Sequence, residues 1–243
     1  MSGHSKWATI HRAKEVKDAK KGAAFTKLAM NITVAVRQGG GIGDPEKNFK
    51  LRLAVDKARQ FNMPKENISR AIEKGTGAGA GGSLEDVMYE GFLPGGCAVV
   101  IEGFTDNKAR TVQQVRSVLE KGGGTIAGTG AVSYMFSHMG EVIVELSGKN
   151  MEELELLAID AGASDLMPEG TKLVVYCGKD KPFEVKEKLE SSGFTIESTE
   201  VVMRPEATVE VKDAEIREKI ESLLEQLEEL DDISKVWTNY GGE

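Results

Sequence analysis

The sequence predicts an α+β protein: an N-terminal bundle of three helices followed by two ferredoxin-like α/β domains, one inserted in the other. Three observations predict it. Apolar residues within positions 1–76 recur at helical spacing, strand-like runs and helical stripes alternate from residue 98 onward, and that alternation spells β-α-β-β-α-β twice, one copy interrupting the other. The expected domains are 1–76, a discontinuous 83–133 plus 205–243, and an inserted 134–204.

In the first domain Phe25, Leu28, Ala29, Ile32, Ala35 and Val36 form one helical stripe, which Gly39-Gly40-Gly41 stops. Asp44-Pro45 reads as the next helix start, Asp as N-cap and Pro as first helical residue, turning Phe49, Leu53 and Ala54 inward. A third helix begins near Asn62-Met63-Pro64, presents Ile68, Ala71 and Ile72, and ends at Gly75. The glycine-rich run 75–82 reads as a flexible linker. Its Gly77, Gly79 and Gly82 satisfy G-x-G-x-x-G, but a helix precedes them and a strand-like segment follows, the reverse of a dinucleotide-binding context.

The discontinuous domain opens with strand 98–104, a cap at Thr105-Asp106-Asn107 assigned to Asp106, helix 109–121 with Val112, Val115 and Leu119, and an edge near Thr125-Ile126. It is completed by a strand over 208–211, a helix from Asp213, and strand 234–238. That last helix carries Ile216, Ile220, Leu223, Leu224, Leu227 and Leu230 on one face, too few heptads for a coiled coil and suited to packing on a sheet. Between the two halves lie strand 141–146, helix 151–161, strand 165–167, a turn at 168–170, strand 171–177, helix 182–191 and strand 195–203.

Charge divides the chain differently. Positions 1–74 hold 16 Lys and Arg against 7 Asp and Glu, a balance of +9, whereas the remainder holds 15 against 32, or −17; the total of −8 conceals both. A terminal block of one sign recruits polyanions and does nothing for packing. Continued backward at 100° per residue, the first helix puts Lys14, Lys17 and Lys21 in line with Phe25 and Ile32, and lysines are not the buried face of a bundle. Either the helix breaks near Gly22 or its first turns project beyond the bundle. In both cases His4, Lys6, Trp7, His11, Arg12, Lys14, Lys17, Lys20 and Lys21, with Lys27 further along, form a basic arm with one large aromatic. Cations neutralise phosphates and an indole stacks on an unpaired base, so the expected partner is nucleic acid; a solvated, unstructured terminus is the plain alternative.

Other classes find little support. Three histidines on separate segments make no metal spacing, there is no G-x-S-x-G, and neither Cys97 nor Cys177 sits in a nucleophile signature, so no enzyme activity, metal, cofactor or small-molecule substrate is expected. Both cysteines lie in β-like apolar runs and read as buried thiols. No run approaches 18 apolar residues and Met1–Trp7 contains no apolar leader core, so neither membrane span nor secretion signal is expected, and cytoplasm is the default.

The residues Gly3-His4-Ser5-Lys6-Trp7, Lys14, Asp18, Lys20 and Phe25, the run Asn62-Met-Pro-Lys-Glu-Asn-Ile68, Glu90-Gly91 through Pro94-Gly95-Gly96, and Thr105-Asp106-Asn107-x-x-Arg110-Thr111 closely resemble the YebC/PmpR family, which includes mitochondrial translational activators. The resemblance runs in order over essentially the whole chain. It implies an N-terminal helical domain followed by two α/β domains, one inserted in the other. It also implies a probable DNA-binding transcriptional regulator, or, as in some members, a translation factor that binds RNA or the ribosome and relieves stalling on proline-rich sequences. The basic arm of that family carries over onto His4, Lys6, Trp7, Arg12, Lys14, Lys17, Lys20 and Lys21. The helices at 45–74 match a helix-turn-helix imperfectly, and a detached arm with a single Trp suits irregular RNA slightly better than duplex DNA. A third class, an acidic scaffold for protein interactions, rests on the −17 remainder.

Overall fold

A computed structural model describes residues 21–77, 85–148 and 150–242. The chain divides into two compact units, Met1–Phe136 with Pro205–Glu243, and Ser137–Arg204. Among the described residues it is a mixed α/β protein with seven α-helices and antiparallel four-stranded sheets behind a helical N-terminal region.

Helices α1 (Lys21–Gln38), α2 (Phe49–Gln60) and α3 (Lys65–Gly75) close around Leu28, Ile32, Val36, Leu51, Val55, Ala58, Ile68 and Ala71. Gly22 is helical in α1, which begins at the first described residue, so the choice between a break near Gly22 and a projecting first turn lies outside the described residues. The second helix starts later than the sequence suggests. Asp44 forms a turn of its own, accepting from the Glu46 N–H through its side chain (3.0 Å) and from the Lys47 N–H through its carbonyl (3.1 Å). The N-cap is Asn48, which accepts from the Leu51 N–H (3.1 Å) and donates to the carbonyls of Ala35 (2.9 Å) and Ile42 (3.1 Å). One buried amide thereby satisfies the start of α2 and two carbonyls of the preceding corner, which Asp44 is too far upstream to reach. With the start moved, the buried face becomes Leu51, Val55 and Ala58, and Leu53 is only half-buried.

Gly75 belongs to the bundle and not to a linker. It is the buried last residue of α3, and a Cβ there would lie 2.6 Å from Val36 Cβ and 2.8 Å from the Thr33 carbonyl oxygen. The Thr33 hydroxyl donates to the Ala71 carbonyl at 3.0 Å across the same contact. Only glycine lets α1 and α3 approach so closely.

The rest of the first unit comprises β1 (Glu85–Phe92), β2 (Ala98–Thr105), α4 (Lys108–Lys121), β3 (Thr125–Ala127), β8 (Val209–Glu210), α7 (Ala214–Glu229), β9 (Ile233–Thr238) and β10 (Tyr240–Gly242). Sheet order is β3-β1-β2-β9, all antiparallel. The strand expected over 208–211 does not join this sheet: β1 lies beside β2, and β8 pairs in parallel with β10. The reason is loop closure. A hairpin turning over Leu93–Cys97 delivers an eight-residue ladder from Glu85↔Thr105 to Phe92↔Ala98, which a strand returning from beyond residue 205 cannot displace. Val99, Ile101, Val115, Leu119, Ile220, Leu223, Leu224, Leu227, Val236 and Tyr240 make the core, so α7 spends its apolar stripe on the sheet and α4.

The second unit carries β4 (Phe136–Glu145), α5 (Met151–Ala161), β5 (Asp165–Glu169), β6 (Lys172–Gly178), α6 (Pro182–Ser191) and β7 (Thr195–Pro205), with β4 and β7 supplying the two crossings between units. Its order β5-β6-β4-β7 is that of the ferredoxin-like β-α-β-β-α-β unit. The core is Val142, Val144, Leu154, Ala158, Leu173, Val175, Cys177, Val185, Leu189 and Phe194. Cys97 and Cys177 are free and buried, and burial pushes both thiols up to about 11. Among the described residues no helix is long and apolar enough to cross a membrane, and no group of three or more His, Cys, Asp or Glu is placed to hold a metal.

Candidate nucleic-acid interface

His4, Lys6, Trp7, Arg12, Lys14, Lys17 and Lys20 lie outside the described residues, and Lys21 is the first residue of α1. Lys27 is different. Its ammonium donates to the main-chain carbonyl of Glu228 at the end of α7, with Glu228, Asp231 and Glu229 as the nearest acids. Burial lowers its pKa and the three acids offset that only in part. A cation at a helix C-terminus meets carbonyls left without helical donors, so Lys27 caps α7 and joins the bundle to the α/β domain. At the other end of α1, Gln38 donates to Asp86 of β1 (2.5 Å) and accepts from Lys50 (2.6 Å).

Two groups stand out among the other bundle cations. Lys47 pairs with Asp44 (3.7 Å), Arg59 with Asp56 (3.5 Å) and Arg52 with Glu46 (3.3 Å), while Arg52 also donates to the Pro45 and Glu46 carbonyls. Lys65, Arg70 and Lys74 on α3 are exposed and carry no ion pair among the described residues, with Arg70 and Lys74 one turn apart on one side of the helix. Sequence reasoning omitted these three. The signal was present for Arg70 and Lys74, which fall off the Ile68–Ala71–Ile72 stripe and must therefore face solvent, whereas Lys65, three residues before Ile68 and seven before Ile72, lies in line with the stripe and is exposed only because it opens the helix.

The motif Thr105-Asp106-Asn107-x-x-Arg110-Thr111 serves the architecture. Asn107, not Asp106, caps α4 by accepting from the Arg110 N–H at 3.0 Å. Asp106 instead pairs with the Arg110 guanidinium at 3.0 Å. Asp232, between α7 and β9, accepts from Arg110 (2.8 Å), Thr111 Oγ1 (2.6 Å) and Thr105 Oγ1 (3.1 Å). Burial opposes ionisation of Asp232, but these three donors outweigh it and hold the carboxyl below its ordinary range. A Cβ on Gly103 would lie 2.0 Å from the Asp232 carbonyl oxygen, so the corner closes only over glycine.

A second buried carboxylate does similar work. Glu90 on β1 accepts from the N–H groups of Gly130 (2.7 Å), Val132 (2.7 Å) and Ser133 (2.9 Å). Burial raises its pKa, yet those donors prevail and the net shift is downward. The pinned segment leads into β4, and the Glu206 N–H donates to the Met135 carbonyl (2.9 Å) where the chain returns. Chemically, then, the buried acids organise loops, and the available cations stand on α3.

Comparison with known proteins gives the family. Residues 5–78 match the TACO1/YebC protein N-terminal domain, and residues 84–240 match the TACO1/YebC second and third domain. A probable transcriptional regulatory protein of Chloroflexus aggregans is 46% identical over 241 residues, covering 98% of this chain and 95% of that protein. One from Caldanaerobacter subterraneus subsp. tengcongensis is 43% identical over 240 residues, covering 98% of each. The crystal structure of a conserved hypothetical protein, Aq1575 from Aquifex aeolicus, superimposes with a TM-score of 0.84 at 42% identity, covering 93% of this chain and 92% of that one. With both family domains matched in order across nearly its whole length, the chain belongs to the TACO1/YebC family.

Proposed function

We propose that this chain is a non-enzymatic, cytoplasmic regulator of gene expression that binds DNA through residues 1–76 while the domains 83–133 with 205–243 and 134–204 stay off the nucleic acid. The observation that carries the reading is the segregation of charge: +9 over positions 1–74, with Lys65, Arg70 and Lys74 exposed on α3, against −17 over the remainder. A polyanion attracts the first and repels the second. The relatives named probable transcriptional regulatory proteins support the same direction. His4, Lys6, Trp7, Arg12, Lys14, Lys17, Lys20 and Lys21 are assigned to backbone contacts and stacking, joined by the three cations of α3. Lys27 is assigned to holding α7.

Ultraviolet cross-linking in cells, followed by sequencing of the nucleic acid recovered on residues 4–21, tests this reading. Discrete chromosomal fragments are expected. Ribosomal RNA without such fragments would replace it with the RNA- and ribosome-binding reading, and recovery of neither would favour the third class, an acidic protein-interaction scaffold.

A further inference from the structure

We propose that the outward face of α5 is a docking surface for a cationic amphipathic segment of another protein. Helix α5 packs into the second unit through Leu154, Ala158 and Ala161, all buried. At 100° per residue Leu156 lies about 170° from the centre of that face, where a solvated helix carries polar residues. Leu156 is 66% exposed, and Ile159, three residues on, is 56% exposed. The helix is therefore apolar on two opposite sides, and the fold consumes one of them.

The surroundings select the occupant. Glu152, Glu153 and Asp160 are exposed around the two aliphatic side chains, α5 contains no Lys or Arg, and none of the three acids has a cationic partner among the described residues. Glu152 and Glu153 in the first turn favour the helix dipole, and at the other end Lys188 of α6 donates to the Ala161 carbonyl (3.3 Å), while Asp160 in the last turn has no basic residue of its own helix beside it. The same face of a second copy would oppose these acids to themselves, and nucleic acid or an anionic lipid surface would be repelled. A partner helix with aliphatic residues flanked by Lys or Arg buries Leu156 and Ile159 and neutralises the rim, with the rim charges steering the approach. This surface does not depend on the nucleic-acid reading, because it lies on the unit that reading leaves outside.

The test places a photo-reactive benzoylphenylalanine at Glu153 in the full-length protein, cross-links in cells, and identifies the captured peptide. The expected peptide carries net positive charge with apolar residues at helical spacing. Synthesised, it binds the purified full-length protein. Leu156→Ser with Ile159→Ser weakens that binding by roughly tenfold or more, as for truncation of a contact centre. Glu152→Gln, Glu153→Gln and Asp160→Asn together weaken it and flatten its salt dependence. Both variants keep the wild-type circular dichroism, melting temperature and nucleic-acid affinity. The proposal is overturned by no cross-link, by a cross-link to a second copy, to nucleic acid or to a neutral or acidic segment, or by variants that bind the peptide as the wild type does.

Discussion

The ammonium of Lys27 is held by the main-chain oxygen of Glu228, so a cation of the basic N-terminal domain closes the last turn of a helix some two hundred residues away. Lys27 thereby has a structural role within the positive block, distinct from the role proposed for the arm lysines.

That separation is measurable. Lys27→Met is expected to cost about 1 kcal/mol of stability, the usual scale for a cation at a helix C-terminus, and to leave DNA affinity unchanged. Charge reversal at Lys14, Lys17 and Lys21 is expected to do the opposite. Fluorescence anisotropy across a salt series should show weaker binding and a log–log slope shallower by about 2–3 units, with the thermal midpoint nearly unmoved. A large loss of stability in the triple variant would mean that those lysines pack in the fold.

Asp232 joins β2, α4 and the α7–β9 corner through one carboxylate group. Asp232→Ala removes the acceptor that Arg110 and two hydroxyls share, leaving Arg110 its pair with Asp106, and should lower unfolding free energy by about 2–3 kcal/mol. Thr111→Val removes one donor and should cost about 1 kcal/mol. Urea titrations of the two variants read the difference directly, and equal midpoints would show that the corner is held by packing alone.

Glu90 makes the fold acid-sensitive. Its folded pKa is below the ordinary 4.5, so its stabilising contribution is present above that value and lost as pH falls through the folded one. Glu90→Gln should therefore flatten the fall in stability below pH 4.5, although the variant starts less stable at neutral pH. Amide hydrogen exchange should report the same event as lost protection at Gly130, Val132 and Ser133, the three N–H groups Glu90 accepts. Unchanged protection would show the loop to be held by other contacts.

Gly75 sets two effects against each other. Alanine in a helix is favoured over glycine by about 1 kcal/mol, but a Cβ at 2.6 Å from Val36 must push α3 from α1, and overpacking of this kind costs about 1–3 kcal/mol. The contact should win, and Gly75→Ala should lower the thermal midpoint. A raised midpoint would mean that the two helices can part without loss.

Local patterns were legible wherever one segment determines its own structure. The stripes of α1, α3, α4 and α7 and the ferredoxin-like alternation from β4 to β7 follow from periodicity and turn residues, because each helix or strand must bury one face whatever it meets. Competition between neighbours was not legible. Asp44 and Asn48 are both capable caps, and the choice fell to the one whose amide also meets the Ala35 and Ile42 carbonyls. The same holds for Asp106 and Asn107.

By itself the sequence determined the class of fold, the helical stripes, the alternation of the inserted unit and the segregation of charge. Those properties reside in composition and spacing, which do not depend on what lies across the fold. Tertiary structure decided that β1 takes the place beside β2, that Asp232 gathers Thr105, Arg110 and Thr111 from more than a hundred residues away, and that Lys27 is withdrawn from the basic surface to finish α7. Each is a contact between distant segments in which one donor has several acceptors within its chemistry, and only the packed chain brings one of them within reach.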